Sequence, residues 1–112
     1  MTSRICYTCD LIDNPELIKK YKYYHSKENA WPEITKSIRD SGIVAMEIYL
    51  LANRLFMIME VDETFSPERK QKMDAENPKV QEWENLMWEF QQSLPMAKEG
   101  EKWLQMEQIF EL

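Results

Sequence analysis

Two long apolar runs in the middle of the chain set the first constraint on its fold. Aliphatic, aromatic and methionine side chains dominate both runs, Ile43 to Leu51 and Arg54 to Val61, and only Ala52-Asn53 separates them. Residues of these types favour strands, and a two-residue connection joins two strands as a tight hairpin. The centre of the chain is therefore predicted to be an antiparallel pair of strands.

Strand and helix signals flank this hairpin. Residues 4–11 alternate with the period of two that is typical of a strand, and residues 103–110 alternate again near the end of the chain. A proline at a first helical position predicts helices after Asn14, Trp31, Ser66 and Asn77. The second of these helices is predicted to end at Gly42. The last carries an apolar stripe from Val80 to Leu94, and Pro95 is predicted to end it.

The resulting order, β-α-β-β-α-β, is that of a ferredoxin-like α+β fold, with the helices on one face of an antiparallel sheet. Both faces of the middle strands carry apolar residues, although the helices cover only one. We therefore expect a homodimer in which two sheets meet face to face as a dimeric α+β barrel. Glu47, Glu60 and Glu107 lie in the predicted strands and favour a wet cavity in that interface.

Composition limits the class of protein. The chain has 112 residues, and we expect it to form a single domain over residues 1–112. A net charge of −6 disfavours binding to nucleic acid or to an anionic membrane. With no leader and no apolar run long enough to span a bilayer, a cytoplasmic location is expected. Cys6 and Cys9 lie on opposite faces of the first predicted strand, so we expect ordinary reduced thiols.

The residues able to carry chemistry are few. Two glycines and one histidine exclude phosphate-binding glycine loops, nucleophile elbows and paired metal-binding histidines. Acid–base chemistry by His25 and carboxylates remains, because imidazole exchanges protons near neutral pH. Tyr21 lies one helical turn before His25 and shares its face. The alternative is that His25 is only a partly exposed helix residue.

Tryptophans are the second set of candidates, because indole faces pack against the C–H faces of sugars. The chain has four of them, at positions 31, 83, 88 and 103. For Trp83, which lies in the apolar stripe of its predicted helix, core packing is the alternative. The eight methionines are expected to fill gaps in the core.

These residues form part of a pattern that runs through the chain. The pattern comprises Tyr21-x-x-x-His25, Trp31-Pro32-Glu33, Gly42, Ile48-Tyr49-Leu50, Leu55-Phe56, Gln81-x-Trp83-x-x-x-Met87 and Ile109-Phe110. In this pattern the chain resembles the L-rhamnose mutarotase family from about Arg4 to its end. The resemblance implies a small cofactor-free sugar 1-epimerase with a ferredoxin-like fold, no metal and a dimer whose sheets come together. It also implies that the ligand is a monosaccharide.

The resemblance also implies roles for individual residues. His25 corresponds to the family's proton-donating residue, Tyr21 to a sugar-binding residue, and Trp83 to the first of two adjacent sugar-contacting tryptophans. Two positions depart from the pattern, because Glu84 stands in place of the second tryptophan and Met46 in place of a substrate-contacting tyrosine.

The departures bear on which sugar is bound. They make L-fucose a strong rival to L-rhamnose, since the two 6-deoxy-L-hexoses differ in hydroxyl configuration. Trp31 is a further candidate sugar contact. Trp88, one turn after Glu84, is a candidate replacement for the missing indole. The alternative for Glu84 is a solvated helix residue.

The predicted function is therefore acid–base interconversion of the α and β anomers of L-fucose or L-rhamnose. Two alternatives remain open at the level of sequence. One is a dimeric-barrel monooxygenase or a haem-degrading relative with the same fold, because a fold does not determine a function. The other is a sugar-binding module without catalytic activity.

Overall fold

A computed structural model describes residues 2–112. Its strands are β1 (Ser3–Leu11), β2 (Ile43–Leu51), β3 (Arg54–Val61), β4 (Gln91–Gln92) and β5 (Leu104–Gln105). Its helices are α1 (Pro15–Tyr24), α2 (Pro32–Asp40), α3 (Pro67–Ala75) and α4 (Pro78–Met87). The predicted order of elements is confirmed, with each helical region divided into two helices.

The sheet is antiparallel, in the strand order β2-β3-β1-β4. Strand β1 is central and pairs along most of its length with β3. On its other edge, β4 pairs near Leu11 and β5 pairs near Thr8. This strand order confirms the ferredoxin-like fold. Two short strands, β4 and β5, together take the place of the fourth strand of that fold.

The helices begin where the sequence predicts. The side chains of Asn14, Ser66 and Asn77 accept hydrogen bonds from backbone N–H groups in the first turns of α1, α3 and α4. These bonds satisfy N–H groups that have no partner inside the helix. Trp31 precedes α2 without a side-chain bond, because indole has no acceptor oxygen. Proline follows each of the four residues at the first helical position.

The last helix is shorter than predicted. Helix α4 ends at Met87, and the extension through Leu94 to Pro95 was wrong. The Phe90 carbonyl accepts a hydrogen bond from Ile12 N–H at 2.8 Å, and the next two residues pair with β1. Phe90 and Leu94 are nevertheless buried. The apolar stripe therefore indicated burial correctly, but pairing with the sheet prevails over the helix.

The last strand is also shorter than predicted. Only Leu104 and Gln105 of the predicted strand over residues 103–110 pair with β1, and Met106 N–H adds one bond to the Cys6 carbonyl. Within the described residues, the segment from Glu107 to Leu112 joins no strand. Ile109 is 89% exposed and Phe110 is 75% exposed. The alternating pattern therefore continues into a segment without a partner strand in the single chain.

The two faces of the sheet differ. The face toward the helices carries the core, in which Leu11, Tyr21, Leu55, Met87 and Phe90 form one buried cluster. On the opposite face, the Val44 and Tyr49 side chains are each 52% exposed. The helices thus leave one apolar face uncovered, as the sequence predicts.

The two cysteines are free thiols on opposite faces of β1, which confirms that prediction. Cys9 is completely buried, and burial raises the pKa of its thiol to about 12. It therefore stays protonated and packs as an apolar residue. None of the helices in residues 2–112 combines the length and the apolar character needed to cross a membrane.

Gly42 is the position where the fold depends most on a missing side chain. Its φ is +100°, and a Cβ there would lie 2.7 Å from Thr64 Oγ1 and 2.9 Å from the Phe65 nitrogen. We expect Gly42→Ala to lower the free energy of unfolding by ~3 kcal/mol, since it adds a clash to backbone strain. Gly100→Ala is the matched control, because Gly100 has a φ of +84° and nothing within 4 Å of its Cβ position. Its expected cost is about 1 kcal/mol. Urea unfolding of both variants measures the difference, and equal losses would contradict the clash.

Candidate active site

One cavity of about 510 Å³ lies between the core face of the sheet and the helices. Its volume is in the range of small-molecule sites. Met46, Met57 and Met59 of β2 and β3 line it from the sheet side. We call these three methionines the floor of the cavity. A floor of this kind is apolar and suits the C–H surface of a ligand better than a charge.

His25 lies in the wall of this cavity, immediately after α1. Its Nδ1 is 2.7 Å from the backbone carbonyl oxygen of Tyr21. A carbonyl only accepts, so Nδ1 carries the hydrogen and donates it. In the neutral imidazole, Nε2 therefore keeps its lone pair for a ligand. The Tyr21 ring stacks on the imidazole with centroids 4.1 Å apart and fixes its plane.

The surroundings of His25 favour its neutral form. Burial among neighbouring side chains lowers the pKa of the imidazole below its usual value of 6.5, and the hydrogen bond to Tyr21 opposes this in part. The ring keeps access to solvent on the open side of the cavity. His25 is therefore suited to accept a proton near neutral pH and to release it again.

Two indoles stand beside His25. The Trp83 ring lies 5.4 Å from the His25 ring and 5.0 Å from the Trp31 ring, edge to face in both contacts. Trp83 is only partly buried and also packs against the core cluster. The same side chain thus serves the core and the cavity wall, and the two interpretations of Trp83 do not exclude one another.

Three polar side chains of the wall come from the end of α4 and the segments after it. Glu84 accepts no hydrogen bond from the described residues, although it lines the cavity. Gln91 of β4 is 3% exposed, and its Nε2 donates to the Tyr21 hydroxyl at 3.3 Å. Lys102 precedes β5, and burial lowers the pKa of its ammonium while the Glu84 carboxylate opposes that change. The wall thus offers hydrogen-bond donors and acceptors above an apolar floor.

The structure gathers six of the seven residues predicted for the site. The cavity is lined by Tyr21, His25, Trp31, Met46, Trp83 and Glu84. Trp88 does not line it, because this residue follows the last turn of α4 and its side chain is 38% exposed. The Lys102 ammonium lies 4.8 Å from the centre of the Trp88 ring. Trp88 therefore contacts Lys102, which lines the cavity, but does not line the cavity itself.

Gln91 and Lys102 are polar residues of the cavity wall that the sequence did not single out. Gln91 falls in the predicted extension of the last helix, and Lys102 lies just before the predicted strand over residues 103–110. A signal for Gln91 was present in the polar Gln91-Gln92 pair between buried Phe90 and Leu94, since polar residues interrupt an apolar stripe there. No comparable signal distinguishes Lys102 from the nearby Lys98.

Among the described residues, two charged side chains line the cavity besides His25, Glu84 and Lys102, and these two pair with each other. Asp74 lies at 2.6 Å from the Lys70 ammonium, in a half-buried ion pair on α3. Residues 2–112 contain no group of three or more side chains able to hold a metal ion. Proton exchange at His25, with hydrogen bonding by Glu84 and its neighbours, is the chemistry that this arrangement supports.

Comparison with known proteins gives one family. The family model described as L-rhamnose mutarotase matches residues 4–112. A protein of Xanthomonas campestris pv. campestris named L-fucose mutarotase is 42% identical over 109 residues, which are 97% of this chain and 87% of the relative. A UPF0734 protein of Dictyostelium discoideum is 39% identical over 107 residues, which are 92% of this chain and 84% of that protein.

A solved structure supports the fold. The crystal structure of an L-rhamnose mutarotase from Formosa agariphila superposes with a TM-score of 0.71 and covers 98% of each chain, at 21% sequence identity. At this identity the likeness concerns the fold alone, and it agrees with the strand order described above.

The surroundings of His25 lead to a direct test of its pKa. Since burial disfavours the imidazolium, we expect the imidazole resonances to titrate with a midpoint below 6.5 in the folded protein. In urea the same histidine should titrate near 6.5, and as the only histidine it needs no assignment. The contribution of this group to stability is present above the unfolded pKa and is lost as the pH falls through the folded one. NMR titration in both states is the measurement, and a folded midpoint at or above the unfolded one would contradict the described surroundings.

Proposed function

The chain belongs to the L-rhamnose mutarotase family, and from this we propose that it interconverts the α and β anomers of a 6-deoxy-L-hexose, with L-fucose as the preferred sugar. Membership makes it an isomerase of the mutarotase class. The observation that carries the proposal is the His25 imidazole, whose Nδ1 is bound to Tyr21 and whose Nε2 is free beside an indole wall. The monooxygenase, haem-degrading and non-catalytic alternatives have no comparable support.

The choice of L-fucose rests on two observations. The relative at 42% identity bears the name L-fucose mutarotase. In addition, Glu84 and Met46 depart from the pattern of the rhamnose-type family, and both line the cavity. A carboxylate accepts hydrogen bonds from adjacent hydroxyls, whereas an indole offers a stacking surface. These two positions therefore bear on hydroxyl configuration, in which the two sugars differ.

The proposed mechanism uses His25 twice. Neutral His25 takes the proton of the C1 hydroxyl at Nε2, and the imidazolium then gives it to the ring oxygen as the bond from C1 to that oxygen breaks. Both oxygens are attached to C1, so one nitrogen can serve them in turn. The open aldehyde rotates about the bond from C1 to C2, and the reverse steps close the ring on its other face. No net oxidation takes place, and the proton is returned.

The remaining side chains are proposed to hold the sugar. Trp83 and Trp31 meet edge to face and provide the indole surface, and the Tyr21 ring holds the imidazole plane. Tyr21 lines the cavity as a buried phenol whose pKa is raised by burial, so its hydroxyl stays protonated and able to donate. Glu84 is proposed to accept hydrogen bonds from the sugar hydroxyls, because Asp74, the other carboxylate of the wall, is bound to Lys70.

We propose that the active protein is a homodimer. The uncovered face of the sheet and the segment from Glu107 to Leu112 expose apolar side chains in the single chain, among them Leu51 at 82% and Ile109 at 89%. An interface of standard size buries ~1,600 Å² in total and would cover such a surface. We also propose a cytoplasmic location for the chain, where two unpaired thiols stay reduced.

The role of His25 is tested by His25→Asn. The asparagine amide can still donate to the Tyr21 carbonyl but cannot exchange a proton near neutral pH. We expect a folded protein whose acceleration of anomer exchange falls by ~100-fold or more, the usual contribution of a positioned acid–base group. NMR saturation transfer on L-fucose and L-rhamnose measures the exchange rate.

Tyr23→Phe is the matched control for this variant. Tyr23 lies on α1 two residues before His25, is 58% exposed and does not line the cavity. The control should keep the wild-type rate. If His25→Asn keeps that rate as well, proton transfer by His25 is refuted.

The dimer is tested by Ile109→Asp combined with Phe110→Asp. We expect wild type to show twice the 13.5 kDa chain mass in light scattering at micromolar concentration. The double variant should shift toward the single chain, since two charges replace apolar side chains in the buried surface. Met96→Asp is the control, because Met96 is 69% exposed and lies outside both the uncovered face and the terminal segment. A monomeric wild type would rule the homodimer out.

A further inference from the structure

We propose that Gln91 and Lys102 are substrate-binding residues that form the polar wall of the sugar site. In this proposal Gln91 binds one sugar hydroxyl through its free amide atom, and Lys102 donates to a neighbouring hydroxyl. The inference rests on the proposed function and deepens it by naming two further residues that bind the sugar hydroxyls.

Only one of the two polar atoms of the Gln91 side-chain amide has a hydrogen-bond partner. Its Nε2 donates to the Tyr21 hydroxyl at 3.3 Å, while its Oε1 is buried and finds no hydrogen-bond partner among the described residues. Exchanging the two amide atoms would not remove the problem, because the nitrogen would then be left unpaired. Leaving a buried polar atom unpaired is costly, and such atoms are rare in folded proteins. Gln91 lines the cavity, so a small rotation of its amide on ligand binding would offer this atom to a ligand hydroxyl as its missing partner.

The ammonium of Lys102 is in a similar situation. It lines the same cavity, and it has neither a hydrogen bond nor an ion pair within the described part of the chain. The Trp88 ring supports it at 4.8 Å, and a cation held over an indole face keeps its three N–H groups available. Trp88 thus acts as a positioning residue for Lys102.

Strand β1 explains why the two residues belong to one wall. Gln91 pairs with Leu11, and Leu104, two residues after Lys102, pairs with Thr8 on the same edge of β1. Buried Cys9 lies on β1 between these two points. The segments that pair with this edge thus carry one amide and one ammonium to the lining of the same cavity, and Glu84 is close enough to influence the ammonium. Donors and acceptors that line one cavity in this way match the several hydroxyls of a pyranose.

The experiment compares Gln91→Met and Lys102→Met with the wild type. Exchange rates are measured by NMR over a range of L-fucose and L-rhamnose concentrations, so that KM and kcat are separated. We expect each variant to raise KM by ~10-fold or more, with a smaller change in kcat, because His25 is left in place. The ratio of efficiencies on the two sugars should also change.

Two matched controls lie next to these residues. Gln92→Met changes the exposed neighbour in β4, and Lys98→Met changes an exposed lysine in the loop before β5. Both should keep the wild-type KM on both sugars. Lys102→Arg should lie closer to wild type than Lys102→Met, since it keeps the charge and the contact with Trp88.

The outcomes are distinguishable. Wild-type KM values in both Gln91→Met and Lys102→Met, with an active wild type, would overturn this inference and leave the proposed function standing. A wild type that does not accelerate exchange would overturn both. Unfolding of each variant is followed by circular dichroism, and if Gln91→Met does not fold, the Lys102 variants decide the matter.

Discussion

The stacking of Tyr21 on His25 is the interaction on which the site depends, because Tyr21 belongs to the core and to the cavity at once. Its ring packs edge to face against Phe90 on one side and stacks on the imidazole at 4.1 Å on the other. Its carbonyl fixes the hydrogen of Nδ1, and its hydroxyl binds Gln91. A buried core residue has few alternative rotamers, so the orientation of the imidazole is set by packing.

Much of the fold could be predicted because its signals are local. The residue pairs Asn14-Pro15, Ser66-Pro67 and Asn77-Pro78 each give a helix start within a few residues, and the hairpin depends on the two residues between its strands. Ala52 in that hairpin adopts a φ of +53°, as a tight turn requires. The end of α4 could not be predicted because it depends on Ile12, whose N–H donates to the carbonyl of Phe90, 78 residues later in the sequence. No local pattern reports such a contact.

In the site, too, local signals could be predicted from the sequence and contacts between distant segments could not. Tyr21 and His25 share a helix face by spacing, and Trp83 lies in an apolar stripe, so pattern and resemblance were enough to place them near one another. Gln91 and Lys102 reach the cavity only because two short strands pair with one edge of β1. The acidic net charge of −6 gave no hint of an ammonium in the wall. A chain average says little about the charge inside one cavity, where burial and a few neighbours dominate.

The methionine floor has a consequence for how such a site changes over time. Met46, Met57 and Met59 each have three rotatable bonds and a polarisable sulfur, so they adjust to the outline of a ligand with little loss of packing. Axial and equatorial hydroxyls can therefore be accommodated by the same floor. In the proposed site, a change of sugar preference then needs exchanges only at the position of Met46 and among the polar residues of the wall, while the rest of the hydrophobic interior, and with it the stability of the protein, is preserved. Because few positions are involved and the floor adapts around them, substrate preference can change in single steps.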